Sequence, residues 1–215
     1  MGRTIVVGDI HGCFDELTEL LDLINLEKDD RVVAVGDLIT KGPKNRQVLD
    51  LFISDERLSS VVGNHDRALR QKLRGEPVRL TSQQRQALTE LAPDEKRYNA
   101  YLRSLPFTID LGAYLVVHAG IRPGVSLDQQ MASDMTEIRT MGAEPSRRKG
   151  VPWYEVYRGP KMILFGHWPA KEPRRALHAV GLDTGCVYGG HLTAFVIETQ
   201  AFVSVPARQK YLSKR

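Results

Sequence analysis

GDIHG at 8–12, GDLITKGP at 36–43 and GNHD at 63–66 decide the reading of this chain. Each closes or follows a short apolar run, RTIVVG from Arg3, RVVAVG from Arg31 and LSSVVG from Leu58. Runs of this length, rich in β-branched residues and ended by glycine, read as buried strands. Between them the apolar residues change to helical spacing. FDELTELLDLI sets Phe14, Leu17, Leu20, Leu21 and Ile24 on one face, and GPKNRQVLDLFI reads as a helix with Pro43 near its start. Strand, motif and helix in repeated order describe an α/β sheet, in which ligands bind beyond the carboxyl ends of the strands. The Asp, His and Asn residues of the motifs are therefore expected along one edge.

The second half is less regular. Residues 73–105 are charged, Gln-rich and broken by Gly75, Pro77 and Pro93, and they read as a helical insertion within one domain spanning 1–215. FTIDL and AYLVVH predict a hairpin turning at Gly112, while KMILFGH, RALHAVGLDT and LTAFVIETQAFVSV supply further strands. RQKYLSKR at 208–215 is expected to fray. Two more short motifs, HAG at 118–120 and GH at 166–167, again set histidine beside glycine after an apolar run.

Composition removes several classes. With 215 residues there is room for a substantial core. The only cysteines, Cys13 and Cys186, are expected to pack rather than cross-link or attack, and no apolar run is long enough to span a bilayer or resembles a signal peptide. A cytoplasmic location follows as an expectation. The formal charge of +4 suits an anionic partner but also an ordinary solvated surface. The runs Arg147, Arg148, Lys149 and Lys171, Arg174, Arg175 could flank outer phosphates or lie in solvated loops. Trp153 and Tyr154 fit core or lid packing better than stacking on a base.

The motifs supply hard O and N donors in the number that two divalent ions require. Asp9 and His11 lie two apart and would point the same way from an extended chain, so they are assigned to the first ion. Asp37 is the natural bridge, because closely spaced cations need a shared anionic oxygen. Asn64, His118 and His167 complete the second site. The chemistry of such a centre is metal-assisted hydrolysis of a phosphoester or phosphoanhydride.

The order GDIHG, GDLITKGP, GNHD, HAG, GH and then DTGCVYGGHLTA at 183–194 resembles the PPP family of metallophosphatases over nearly the whole chain. Within that family it is similar to the small bacterial members, the ApaH-like phosphatases and the symmetrical bis(5'-nucleosyl)-tetraphosphatases. The resemblance implies two packed mixed sheets flanked by helices, and a pair of divalent ions for which Mn²⁺ is preferred over Fe, Zn, Co or Mg. It implies that His65 is the general acid and that Arg139 clamps phosphate. Where most of the family has Asp-Arg, this chain has Thr40-Lys41. Thr40 cannot support an imidazolium as a carboxylate does, so His65 should be a weaker proton reservoir at neutral pH, with Asp66 as a second catalytic candidate to compensate. Lys41 exchanges a rigid fork for a mobile point charge suited to a longer polyphosphate. Together with Lys41, Asn64 and Arg139, Tyr188 of the GCVYGG turn is a candidate substrate contact, as is His191; either could equally be structural.

A weakened acid matches anhydrides, whose leaving groups are stable as anions, better than phosphoserine esters. The expected substrate is a dinucleoside polyphosphate of the diadenosine tetraphosphate type, with polyphosphate or capped RNA as relatives, and no membrane or obligate protein partner. A serine/threonine phosphoprotein phosphatase is the alternative. A non-enzymatic RNA-binding module is allowed by the charge but opposed by the ligand set.

Overall fold

The computed structural model describes residues 2–213. The three opening strands form as read: β1 (Thr4–Val7), β2 (Arg31–Ala34) and β3 (Leu58–Ser60) pair in parallel, joined by α1 (Phe14–Ile24) and α2 (Asn45–Ser54). The chain continues through α3 (Asn64–Leu73), α4 (Ser82–Leu91) and α5 (Glu95–Ser104) into the hairpin β4 (Thr108–Leu111) and β5 (Tyr114–Val117). Then come α6 (Ala132–Glu137), α7 (Trp153–Val156), β6 (Met162–Phe165), the hairpin β7 (Arg174–Ala176) and β8 (Ala179–Gly181), and the hairpin β9 (His191–Val196) and β10 (Ala201–Pro206).

Two five-stranded mixed sheets result, ordered β10-β9-β1-β2-β3 and β4-β5-β6-β8-β7. Parallel strands occupy β1 to β3 in one and β5, β6 and β8 in the other. The pleat explains why β1 and β2 are apolar at consecutive positions, Ile5–Val7 and Val32–Ala34. Val6 and Val33 face the other sheet and meet Val116, Leu164 and Val180, while Ile5, Val7, Val32 and Ala34 face the helices. The outer face of the second sheet is covered around Trp153, which is fully buried and donates its indole N–H to Ala119 O at 3.0 Å.

In residues 73–105, α4 packs on α2 and α3, and α5 on α3. Ala87, Leu91, Tyr98 and Leu102 join the main core. Helix α4 starts on a capping box in which Thr81 and Gln84 exchange side-chain and backbone hydrogen bonds.

Helix α2 starts at Asn45, two residues past Pro43, after a loop in which Thr40 and Lys41 are left-handed, at φ 78° and 66°. One expectation is corrected. The C-terminal segment does not fray where it is described. Arg208 N and Tyr211 OH both donate to Glu16 Oε1, at 2.9 and 2.8 Å, and Leu212 N donates to Val187 O at 3.0 Å. Lys214 and Arg215, the end of that expectation, lie outside the described residues.

Candidate active site

All six predicted ligands meet in one cleft edge, but not by the route the two-residue spacing suggested. β1 ends at Val7, before Asp9, and His11 is left-handed at φ 50°, so Asp9 and His11 converge across a turn rather than along an extended strand. Asp37 and His167 are also left-handed, at φ 50° and 65°. Backbone in this region is costly for residues other than glycine and is retained where the surroundings hold it. Here the surroundings are specific. His11 N donates to Asp37 O at 2.7 Å, His65 N to Asp37 Oδ1 at 2.9 Å, and His167 N to Asp9 Oδ1 at 3.0 Å. A Cβ at Gly63 would strike the Asp37 carboxylate and one at Gly166 the Asp9 carboxylate, which explains the glycine in GNHD and in GH.

The side-chain atoms form a compact acceptor cluster. Asp37 Oδ2 lies 3.4 Å from His11 Nε2 and 3.6 Å from His118 Nε2, which puts one carboxylate oxygen between two imidazoles. Asp9 Oδ2 is 3.9 Å from His11 Nε2. Asn64 Oδ1 sits 3.0 Å from His118 Nε2 and 3.0 Å from His167 Nδ1. Tautomers follow from partners that can only accept: His118 Nδ1 donates to Val35 O at 2.9 Å and His11 Nδ1 to Ile39 O at 3.3 Å. The Nε2 lone pairs of both rings are therefore turned into the cluster, that of His11 accepting from Lys41 Nζ at 2.7 Å. His167 Nε2 is buried with no hydrogen-bond partner among the described residues.

The electrostatics have one sign of consequence. Burial first, then repulsion from Asp183 and Asp37, pushes the Asp9 carboxyl well up; burial pushes Asp37 up to about 6. Burial holds His118 down to about 4 and lowers His11, His65 and His167 as well. Neutral imidazoles and crowded carboxylates with lone pairs facing one another are what a divalent cation stabilises, so the residues present fit the metal pair that the motifs imply.

Around this cluster lies a cleft of about 770 Å³ whose wall includes Lys41, Arg79, Arg85, Arg139, Arg148 and Tyr188. Arg139 is not in a helix, since α6 ends at Glu137; its Nη1 donates to Ser146 O at 2.6 Å and its Nε is buried without a partner among the described residues. Lys41 Nζ is 5.5 Å from the centre of the Tyr188 ring, a cation–π contact. Of the two basic runs only Arg148 reaches the cleft; Arg174 lies against Trp168 and Arg175 against Phe202.

His65 lines the cleft, but its support differs from expectation. Asp66 turns away: it is fully buried at the N-terminus of α3, its Oδ2 accepting from Gly63 N at 3.1 Å and Leu38 N at 3.3 Å. Placing it in the catalytic pair is therefore corrected to a loop-holding role, the result of its position three residues after Gly63 in a helix-capping arrangement. Thr40 Oγ1 is buried and has no partner among the described residues. The group at His65 Nδ1 is Gln84 Nε2 of α4, at 3.4 Å. Gln84 escaped the sequence reading because only folding brings α4 over the cleft. Asp183 also escaped it, although DTG directly after an apolar run carries the same signal as the other motifs. It lines the cleft, accepts from Gly185 N at 3.0 Å, and is raised by burial.

The calcineurin-like phosphoesterase profile matches residues 2–195. The chain belongs to that family. This phosphoesterase is 32% identical to the asymmetrical bis(5'-nucleosyl)-tetraphosphatase PrpE of Anoxybacillus flavithermus, over 98% of this chain and 96% of the relative. It is 31% identical to PrpE of Bacillus subtilis, over 98% and 97%, and 28% identical to the symmetrical bis(5'-nucleosyl)-tetraphosphatase of Vibrio campbellii, over 88% and 93%. Among solved structures it superposes on a candidate diadenosine tetraphosphatase with a TM-score of 0.83 at 32% identity, covering 96% of this chain and 94% of that one. A Saccharomyces cerevisiae serine/threonine phosphatase shares the fold at a TM-score of 0.70 and 15% identity, over 97% and 80%. This phosphoesterase is a metal-dependent hydrolase with the two-sheet architecture of its family. No helix among the described residues is long and apolar enough to cross a membrane.

Proposed function

We propose that this enzyme hydrolyses phosphoanhydride bonds in dinucleoside polyphosphates of the diadenosine tetraphosphate type, asymmetrically, in the cytoplasm. The observation that carries the reading is the convergence of acceptor atoms on Asp37 Oδ2, set against a cleft wall with five basic residues. Asp9, His11 and Asp37 would hold one divalent ion, and Asp37, Asn64, His118 and His167 the other, with Mn²⁺ as the favoured metal. When bound, the ions supply neutralisation of phosphate charge and Lewis-acid activation of water and phosphoryl oxygen.

The rest of the chemistry belongs to the chain. Arg139 presents a planar fork to two phosphoryl oxygens, while Lys41, Arg79, Arg85 and Arg148 extend positive charge along the cleft for further phosphates. His65 gives a proton to the leaving oxygen. Its pKa is lowered by burial and by Lys41, so the ring is mostly unprotonated at neutral pH and a small proton reservoir. That suits a nucleotide leaving from an anhydride, which needs little protonation, better than a serine alkoxide. Gln84 fixes the ring from Nδ1. Likeness to the yeast phosphatase extends to the fold alone at 15% identity, and the asymmetrical cleavage follows the relatives above 30%.

The test is a product analysis. Purified protein loaded with Mn²⁺ is given diadenosine tetraphosphate, inorganic polyphosphate, capped RNA and a phosphoserine peptide in parallel. ATP with AMP as initial products is the expected result. Two ADP would reverse the cleavage assignment, and a higher kcat/KM on phosphopeptide would overturn the substrate class.

A further inference from the structure

Neither cysteine is used by the hydrolytic site, nor is the buried Glu16 of α1, yet the three come together. Cys13 follows the GDIHG turn, Cys186 lies three residues after Asp183, and Glu16 is in the first turn of α1. Each offers a ligand atom within 4.8 Å of the other two, and all are buried. None of them lines the cleft.

From this clustering we infer that Cys13, Glu16 and Cys186 form a metal site separate from the catalytic pair, suited to a borderline-soft divalent ion such as Zn²⁺. The second observation is the carboxylate. Glu16 has no exposed surface, and its Oε1 is held by Arg208 N and Tyr211 OH, whereas Oε2 is buried with no hydrogen-bond partner among the described residues. A buried carboxylate oxygen left unpaired is costly, and so needs an explanation. Two thiols alone do not provide one, because Oε2 makes no hydrogen bond to either sulfur. A cation bound by both sulfurs and Oε2 does. Tetrahedral Zn²⁺, with sulfur at ~2.3 Å and oxygen at ~2.0–2.2 Å, separates its ligand atoms by roughly 3.3–3.8 Å. The existing cluster needs to contract little.

Charge also balances. Binding releases the proton of each thiol to solvent as the divalent ion arrives, so the net charge buried at the site is unchanged. Soft thiolate sulfur favours Zn²⁺ over Mg²⁺ or Mn²⁺, whereas the ligands of the cleft are nitrogen and oxygen only. The ion would pin, from one point, the turn that carries Asp9 and His11, the loop that carries Asp183, and through Glu16 the C-terminal segment docked by Arg208 and Tyr211. This goes beyond the proposed hydrolysis and does not depend on it.

Cd²⁺ serves as the probe, because thiolate ligation gives a near-ultraviolet charge-transfer absorption that nitrogen and oxygen ligands do not. The reduced full-length protein receives Cd²⁺ when folded and, in a parallel sample, during refolding from denaturant, so that burial cannot block access. The expected result is an absorption that saturates with one equivalent in the wild type and is abolished in the Cys13→Ser, Cys186→Ser double variant. That variant should bind one metal fewer per chain while keeping the ions of the cleft. Glu16→Gln, which preserves shape, should weaken the site at least tenfold. Absence of the absorption in both wild-type samples would overturn the site, and so would full retention of affinity in Glu16→Gln. Either result is separable from hydrolysis, which the catalytic ions support.

Discussion

Lowering the pH from 7 to 5 should weaken metal binding through the carboxylates more than through the histidines. In the metal-free protein burial pushes Asp37 up to about 6. An ion that needs the carboxylate must displace its proton, so affinity falls by the factor 1 + 10^(pKa − pH). For a pKa of about 6 that factor is ~1.1 at pH 7 and ~11 at pH 5, a loss of roughly tenfold or ~1.4 kcal/mol from Asp37 alone. Asp9, raised well above the ordinary carboxylate range, adds to the loss in the same direction. Histidines at their ordinary pKa of about 6.5 would each contribute a further factor of roughly thirty at pH 5. Here they contribute less: burial holds His118 at about 4, already neutral at pH 5, and burial lowers His11 and His167 in the same direction. Calorimetric titration of Mn²⁺ into metal-free enzyme, in two buffers of different ionisation enthalpy, measures both affinity and protons released. The reasoning predicts a loss of roughly tenfold from Asp37, with at most about a further hundredfold from Asp9, and about one to two protons released per chain at pH 5. An affinity unchanged between pH 7 and pH 5 would refute it, as would a loss of several thousandfold, which would mean that the histidines titrate normally.

Three other outcomes are expected. Gln84→Ala removes the partner of His65 Nδ1 and should lower kcat about two- to tenfold, the worth of one hydrogen bond, with KM and metal content little changed; an equal effect in a His65→Asn background would show that Gln84 acts elsewhere. His65→Asn should depress turnover by roughly 10²–10⁴-fold on a poor leaving group and much less on a nitrophenyl ester, a contrast read directly from the two kcat values. Thr40→Asp with Lys41→Arg should raise kcat/KM for phosphomonoesters relative to dinucleoside polyphosphates, with melting temperature and metal content as controls; a ratio equal to wild type would remove these positions from substrate selection.

What could be read from sequence, and what could not, divides by physical origin. Strands buried on both faces need apolar residues at nearly every position, so β1 and β2 stood out, β3 was marked by the Val61-Val62-Gly63 that follows its two serines, and the single apolar stripe of α1 was legible as Leu17, Leu20 and Ile24. The candidate ligands at strand ends were legible because they sit beside glycines that the fold cannot replace, as Gly63 and Gly166 show. Asp66 misled because it lies next to His65 in sequence, whereas the first turn of α3 rotates consecutive side chains roughly 100° apart and sends this one back to the loop. Gln84 carried a readable signal for a helix start, Thr81 with Gln three residues on, but nothing local to show which side chain that helix would meet. The docking of Tyr211 on Glu16 was hidden for the same reason, as it joins the two ends of the chain.

The backbone ties these observations together. Of the non-glycine residues with positive φ among those described, His11, Asp37, Thr40, Lys41 and His167 all belong to the cleft. Each lies just past an apolar strand or in the turn that follows it, where the chain must reverse within a few residues to leave a donor atom at the sheet edge. β-branched Thr40 is the most unfavourable of them in this conformation, and its hydroxyl gains no hydrogen bond in return among the described residues. Asn45, the first residue of α2, accepts the Thr40 N–H at 2.7 Å and donates to Glu90 of α4 at 2.6 Å, so the strained loop is braced by the same helix that carries Gln84. Loop geometry, the position of Lys41 and the support of His65 are thus coupled through α4. Replacing Thr40 without regard to Asn45 and Glu90 changes one member of a connected set, and the effect on His65 follows from how that set resettles.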